Sequence, residues 1–193
     1  MRGEGRAGFR VQTCLSRAQI VSATEFFLQT ARLAFRCWTP EDLPLALALW
    51  GDHDVTRLVG GPFNHEQVQE KLDREIANQR RHGIQYWPMF LLSGDEHVGC
   101  AGLRPHGEDM RALEMGYYLR PAWWHMGLAE EAGRGIIGYA FDRLAVKTLI
   151  AAHHPQNEPS RRVLEKLGFL RQGAKLYPPT GLMHPEYILE AAR

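Results

Sequence analysis

The sequence predicts a mixed α/β fold made as one domain, and three observations carry that reading. Runs that alternate apolar and polar residues are interleaved with runs of helical periodicity, in the order β-α-α-β-β-β-α-β-α-β-β. Several helical runs open on capping residues and close at glycines. The 193 residues suffice for one adequate core, and no repeat, low-complexity tract or linker divides them.

The elements follow in order. Residues 1–22 have no clear period and Val21–Gln29 reads as a short helix or a lead-in, so residues 1–28 are expected to be an N-terminal extension ahead of a domain over 29–193. Arg32–Trp38 alternates and ends at a turn, as a strand does. Thr39-Pro-Glu-Asp42 is a helix start: Thr39 can cap, Pro40 suits the first helical position and Asp42 can reach back to the cap N–H. That helix carries Leu43, Leu47 and Trp50 and stops near Gly51. Asn64 with Gln67 forms a second capping box, ahead of an apolar stripe at Val68, Leu72 and Ile76 that ends by Gly83.

Tyr86–Leu92 and His97–Leu103 are strand runs separated by Ser-Gly-Asp-Glu, a hairpin signal. After a polar loop, Leu113, Met115, Tyr117 and Leu119 alternate with Glu114, Gly116, Tyr118 and Arg120, which puts Glu114 off the core face. Pro121 stops the strand, and a helical pattern runs from Trp123 to about Leu144 with Ala129, Ala132, Ile136 and Ala140 as its ridge. Gly133, Gly135 and Gly138 weaken that helix by about 1 kcal/mol each relative to alanine, which close packing would explain. Val146–Ala152 is a short buried strand. Asn157 caps a last helix, Glu158–Leu167, stopped by Gly168. Phe169–Lys175 and Glu186–Leu189 are final strands joined through Tyr177-Pro-Pro-Thr-Gly181.

Composition removes several functional classes. The net charge of +1, with basic and acidic residues mixed along the chain, lacks the footprint of a nucleic-acid or membrane-surface binder. No apolar run approaches the ~18–20 residues of a membrane span. Cys14, Cys37 and Cys100 are too few and scattered for a disulfide framework or a zinc site, and His153-His154 has no third ligand at suitable spacing, so no metal is expected. A reducing cytoplasm fits the cysteines. The basic residues Arg2, Arg6, Arg10 and Arg17 fit either a mitochondrial-type presequence or, more simply, a short extension. They flank no apolar core of a secretory signal.

The chemistry gathers at Trp123–Ala132. A turn with Gly127, feeding a helix N-terminus, aims free backbone N–H groups and the positive end of the helix dipole at one spot, a seat for a pyrophosphate. At these residues the chain resembles the GNAT superfamily of acetyl-CoA-dependent N-acetyltransferases, and within it the branch that includes the ribosomal-protein enzymes RimJ and RimL. Trp124-His-Met-Gly127-Leu-Ala129 fills the family's phosphate-loop frame Gln/Arg-x-x-Gly-x-Gly/Ala. His125 stands where that branch has a glycine and Met126 where it has a basic residue. Asn157-x-x-Ser160-x-x-Val163-Leu-Glu-Lys-Leu-Gly-Phe169, Thr30-Ala-Arg-Leu-Ala-Phe-Arg36 and Glu114-Met-Gly-Tyr117 match as well.

The resemblance implies a GNAT-type mixed, mostly antiparallel sheet of six to seven strands, flanked by about four helices. Its central pair, Leu113–Arg120 and Val146–Ala152, would splay into a slot. Acetyl-CoA would be the cosubstrate, its pantetheine arm along Tyr117, Tyr118 and Leu119 and its pyrophosphate on Met126, Gly127, Leu128, Ala129 and Glu130, with Asn157 and Ser160 beside the arm. A main-chain N–H near Gly116–Tyr118 would polarise the thioester carbonyl. Glu114 is the candidate base, the competing reading being a solvent-facing strand glutamate. Glu131 is a weaker candidate, since acids in a first turn often only favour the dipole. The tyrosine that many members use as the thiolate's acid is Leu164 here, so Ser160 is named in its place. Its competing role is bonding to the helix backbone. His153 and His154 read as solvated loop histidines. Trp38, Trp87, Tyr177 and His184 are candidates for the acceptor site, core packing being the better reading for the tryptophans, and Tyr177–His184 resembles a loop closing over the acceptor. The expected reaction is direct transfer to a primary amine, either a peptide N-terminus or a small molecule, by a monomer or homodimer. The alternative is a non-catalytic acyl-CoA-binding module of the same fold.

Overall fold

Alternating runs bury one face each, and in the computed structural model, which describes residues 25–107 and 110–192, they line up into a single sheet. The strands are β1 (Leu28–Gln29), β2 (Leu33–Phe35), β3 (Tyr86–Leu91), β4 (His97–Pro105), β5 (Ala112–Leu119), β6 (Thr148–Ala152), β7 (Leu170–Tyr177) and β8 (Leu182–Glu190). Their order across the sheet is β1-β2-β3-β4-β5-β6-β8-β7. Every neighbouring pair is antiparallel except β5 and β6. The helices among the described residues are α1 (Leu43–Trp50), α2 (His53–Thr56), α3 (His65–His82), α4 (Leu128–Asp142) and α5 (Glu158–Lys166).

Among the described residues there are eight strands and five helices, close to the six to seven strands and about four helices expected. The additions are elements too short to show a period. β1 is two residues long and folds back on β2, with Phe27 N–H bonded to Phe35 O at 3.0 Å and Thr30 N–H to Leu33 O at 2.8 Å. α2 is one turn, capped by the Asp52 carboxylate at Asp54 N (2.8 Å) and Val55 N (3.1 Å). Both expected capping interactions form. Asp42 accepts from Thr39 N–H at 2.9 Å, though Pro40–Asp42 is a 3-10 turn leading into α1, and Asn64 and Gln67 exchange two bonds of 2.9 Å.

One core layer lies between the sheet and α4 and α5, and takes Leu113, Met115 and Leu119 from β5. A second lies between the opposite face and α1 and α3, around Trp38, Trp50 and Leu72. Close packing accounts for two of the three α4 glycines. A Cβ on Gly133 would stand 2.5 Å from Leu167 Cδ1, and one on Gly135 2.8 Å from Thr30 Cγ2. Gly138 has no such neighbour.

α4 begins at Leu128, five residues later than the pattern starting at Trp123 suggests. Pro121–Trp123 forms a 3-10 turn, and the loop after it takes left-handed backbone at His125 (φ 61°) and Gly127 (φ 75°). β5 pairs with β6 only over Ala112↔Thr148, Leu113↔Leu149 and Glu114↔Ile150, while it stays on β4 as far as Leu119↔Gly99. Beyond Glu114 the two central strands part. β7 and β8 form a hairpin closed by Tyr177↔Leu182, longer at both strands than the sequence pattern indicates.

Candidate active site

The parted strands open a cavity of about 1040 Å³. Of the residues singled out from the sequence, Glu114, Tyr117, Tyr118, Leu119, Gly127, Leu128, Ala129, Glu130, Asn157 and Ser160 all line it. Met126 does not. Its side chain is half exposed and its carbonyl oxygen accepts from Arg32 Nη1 at 3.0 Å on the other side of the loop.

One wall, the helix wall, comes from the N-termini of α4 and α5. Gly127 at the N-cap of α4 has no side-chain cap bond, so the first-turn N–H groups that a helix leaves without carbonyl partners stay open to an anion. Nearby, Asn157 Oδ1 accepts from Ser160 N–H at 3.1 Å and caps α5. The Tyr117 side chain crosses from β5 to this wall, and its hydroxyl stands 2.9 Å from Ser160 Oγ. Burial pushes Tyr117 up to about 12, so it stays a neutral hydroxyl at physiological pH. Leu164 is buried in the core and brings no hydroxyl. Glu130 is paired with Arg134 (2.8 Å) and Lys166 (3.5 Å).

The opposite wall, the sheet wall, is made of side chains on the other face of β3, β4 and β5, with the tip of the β7–β8 hairpin. Tyr86 Oη donates to Glu114 Oε1 at 3.0 Å. Tyr86 is buried, and desolvation followed by the nearby Glu114 charge raises its pKa well above the ordinary tyrosine value, so the donor keeps its proton. Behind it, the Arg104 guanidinium lies 4.0 Å from the Tyr86 ring centre and pairs with the wholly buried Glu75, which also accepts from Tyr86 N–H at 2.8 Å. Gly116 belongs to this wall for a steric reason: a Cβ there would overlap the Tyr86 hydroxyl. Tyr177 stacks on His184 with ring centres 4.5 Å apart, and both line the cavity. Trp38 and Trp87 are core residues.

Besides Met126, two sequence expectations change. His153 and His154 are buried rather than solvated, and both line the cavity. His153 Nδ1 meets His154 O at 2.8 Å and its Nε2 meets Tyr187 Oη at 3.3 Å. His154 lies 5.4 Å from His184, and burial followed by the neighbouring histidines lowers the pKa of both. No cluster of metal-ligand geometry occurs among the described residues. Glu131 lies outside the cavity lining, because Thr30 Oγ1 (2.6 Å), Arg32 N (2.7 Å) and Arg32 Nε (2.6 Å) occupy its carboxylate. Tyr86 and Arg104 were not legible as site residues. Both sit in strands whose alternation reports burial and nothing about a partner, and the one available signal was Glu114, which a buried hydroxyl could reach.

Comparison with known proteins gives a consistent answer. Residues 32–170 match the family model described as Acetyltransferase (GNAT) domain. The chain is 29% identical over 150 residues to a Bacillus subtilis (strain 168) protein called uncharacterized N-acetyltransferase YoaA, covering 76% of this chain and 84% of that one. It is 28% identical over 148 residues to uncharacterized N-acetyltransferase p20 of Bacillus licheniformis, covering 76% and 83%. Among solved structures it resembles the acetyltransferase (GNAT family) from Bacillus anthracis, with a TM-score of 0.71, 24% identity and coverage of 83% of this chain and 94% of that one. It also resembles RimL, a ribosomal alpha-N-protein acetyltransferase solved with coenzyme A, with a TM-score of 0.73, 13% identity and coverage of 86% and 98%.

Proposed function

The chain belongs to the GNAT family of acetyltransferases, and from that premise we propose that it moves the acetyl group of acetyl-CoA directly to a primary amine. The observation that carries this reading is the pairing, across one cavity, of an uncapped α4 N-terminus with a carboxylate, Glu114, that Tyr86 holds at 3.0 Å. The helix wall fits the cosubstrate. Open N–H groups at Gly127–Glu130 suit a pyrophosphate, and the main chain of Tyr117–Leu119, unpaired on its β6 side, suits an extended amide-bearing arm. When bound, acetyl-CoA supplies an activated thioester.

The residues divide the work as follows. Glu114 takes a proton from the incoming ammonium, directly or through water, leaving a lone pair on nitrogen for the carbonyl carbon. An N–H of the parted β5 segment near Gly116–Tyr118 receives the charge that develops on the carbonyl oxygen. Ser160, backed by the neutral Tyr117 hydroxyl at 2.9 Å, donates a hydrogen bond to the departing sulfur, which leaves as a thiolate and takes up the second proton shed by the newly acetylated nitrogen. A thiolate is stable enough to leave with only that help. The sheet wall takes the acceptor between Tyr177, His184 and Tyr118. RimL's described action on an α-amine puts peptide N-termini first among acceptors, with small amines second.

Residues 29–193 form the transferase domain in this reading, with residues 1–28 as an extension whose end, Phe27 and Leu28, packs into the core. In this reading the enzyme works as a monomer or homodimer. No metal enters the chemistry. No helix of the described residues is long and apolar enough to cross a membrane, and the scattered cysteines suit a reducing cytoplasm.

The test is a screen with acetyl-CoA against peptide N-termini, polyamines, amino acids and aminoglycosides, following release of free thiol. Turnover with one class establishes the reaction. Retention of CoA with no thiol released for any amine would favour the binding-module reading, whose structural support is the hydrophobic Leu164 at the usual acid's position.

A further inference from the structure

We propose that Arg32, at the entry to β2, is a positioning residue for the phosphate loop nearly one hundred residues later in the chain. Its guanidinium makes two separate attachments. Nη1 donates to the Met126 carbonyl oxygen at 3.0 Å, and Nε donates to Glu131 Oε2 at 2.6 Å. The Arg32 backbone N–H and the Thr30 hydroxyl take the other Glu131 oxygen, at 2.7 and 2.6 Å. Burial pushes the Glu131 carboxyl up, but the bonds from Thr30 and Arg32 outweigh it and hold the pKa below the ordinary glutamate value. One arginine thus ties the loop ahead of α4 to the first turn of α4 itself.

The consequence lies in the peptide joining Met126 to Gly127. In a trans peptide the C=O and N–H point in opposite directions. With the Met126 carbonyl drawn back to Arg32, the Gly127 N–H is turned the other way, toward the cavity that Gly127 lines and Met126 does not. Arg32 therefore acts on the pyrophosphate seat from behind, through the loop's main chain.

The loop has need of an outside hold. His125 takes a left-handed conformation (φ 61°) that a residue with a side chain adopts at a cost, and Gly127 takes another (φ 75°). Met126 brings no charge of its own to the loop. The Arg32 side chain is about half exposed (47%), so its ion pair with Glu131 contributes little to global stability. Its effect is on geometry.

This inference rests on the reading of the cavity as an acetyl-CoA site. The experiment measures binding of CoA by calorimetry for the wild type, Arg32→Ala and Arg32→Lys, alongside kcat, acceptor KM and thermal melting. Arg32→Ala is expected to raise the CoA Kd and the acetyl-CoA KM by about tenfold, the loss of roughly one positioned hydrogen bond to the ligand, with kcat and acceptor KM within about twofold. Arg32→Lys is expected to restore only part of the affinity, because one ammonium cannot bond to Met126 O and Glu131 in the planar fork that a guanidinium presents. A CoA Kd for Arg32→Ala within about twofold of wild type would overturn the proposal, as would a parallel rise of CoA Kd and acceptor KM, the mark of general loosening. Failure of the wild type to bind CoA would overturn the reading of the cavity and this proposal with it.

Discussion

The helix wall and the sheet wall of the cavity do their work with different parts of the chain. At the helix wall the proposed donors are main-chain N–H groups from one contiguous stretch, Gly127–Glu130, at the start of α4. Side chains matter less there: His125 and Met126 depart from the loop expected of the family branch without removing a backbone donor. At the sheet wall the working atoms are side-chain atoms from β3, β4, β5 and the β7–β8 hairpin. Substituting a residue there removes the atom it supplies. A main-chain site preserves a common ligand while its sequence drifts, and a side-chain site is where an enzyme family can change its acceptor.

The largest effect that can break this contrast is Gly127→Glu. It forces a side chain into a left-handed position of the loop (φ 75°) and sets a carboxylate beside the Arg32 guanidinium, 3.7 Å from the added Cβ, so the loop is refolded and CoA affinity should fall by more than about 100-fold in a protein that still melts cooperatively. Calorimetry with unaltered affinity would show that the helix wall does not hold phosphate. Next is Glu114→Gln, for which kcat at neutral pH should drop by about 10²–10³-fold with acetyl-CoA KM unchanged. Part of the loss should return as pH rises, because the acceptor amine then sheds its proton unaided. A flat pH response or full activity would remove Glu114 from the proton transfer.

A third prediction concerns stability on the sheet-wall side. His97 is buried against Trp38 and Phe90, neither ring nitrogen has a hydrogen-bond partner among the described residues, and burial lowers its pKa to about 4. The folded-state value lies below the unfolded value of about 6.5, so between these limits the unfolded chain binds the extra proton. Stability is therefore whole above pH 6.5 and falls as pH drops toward 4. Urea unfolding should show a loss of about 2 kcal/mol from this group between pH 7 and 4.5, less any contribution common to other groups. His97→Leu should flatten that slope, and an unchanged slope would clear His97 of the effect. The smallest expected change belongs to Tyr86→Phe. Removing the donor to Glu114 frees the carboxylate to rotate and should lower kcat by roughly 3–10-fold, about one hydrogen bond's worth, with CoA Kd unmoved. A loss of CoA affinity in that variant would mean that the two walls are not independent.

Much of this was legible in the residues. Asn64 with Gln67, and Thr39 with Asp42, announced helix starts that the structure repeats, because caps are contacts three residues apart. The alternation at Leu113–Leu119 placed Glu114 off the core face, where its carboxylate meets the cavity. The failures have two causes, elements too short to show a pattern and partners far along the chain. β1 and α2 are shorter than a period. Glu131 had the composition of a first-turn acid, but Thr30 and Arg32, contributed by a distant turn, decide what it binds. His153 and His154 are loop residues, as read, but buried rather than solvated, with His153 against Tyr187 and His154 against His184 of the hairpin.

By itself, then, the sequence determined the order of all but the shortest elements and the family, and it pointed to Gly127 as the proposed phosphate seat. The elements depend on periodicity, capping and backbone geometry, which neighbouring residues settle among themselves, and the family on its resemblance to motifs that stand as contiguous stretches of the chain. Only the tertiary structure decided that β5 and β6 part after Glu114, that Tyr86 and Arg104 stand behind its carboxylate, and that Arg32 grips the loop at Met126. Those contacts join residues far apart in the chain, where no local pattern records the partner, and they form only when the sheet has brought its strands into register.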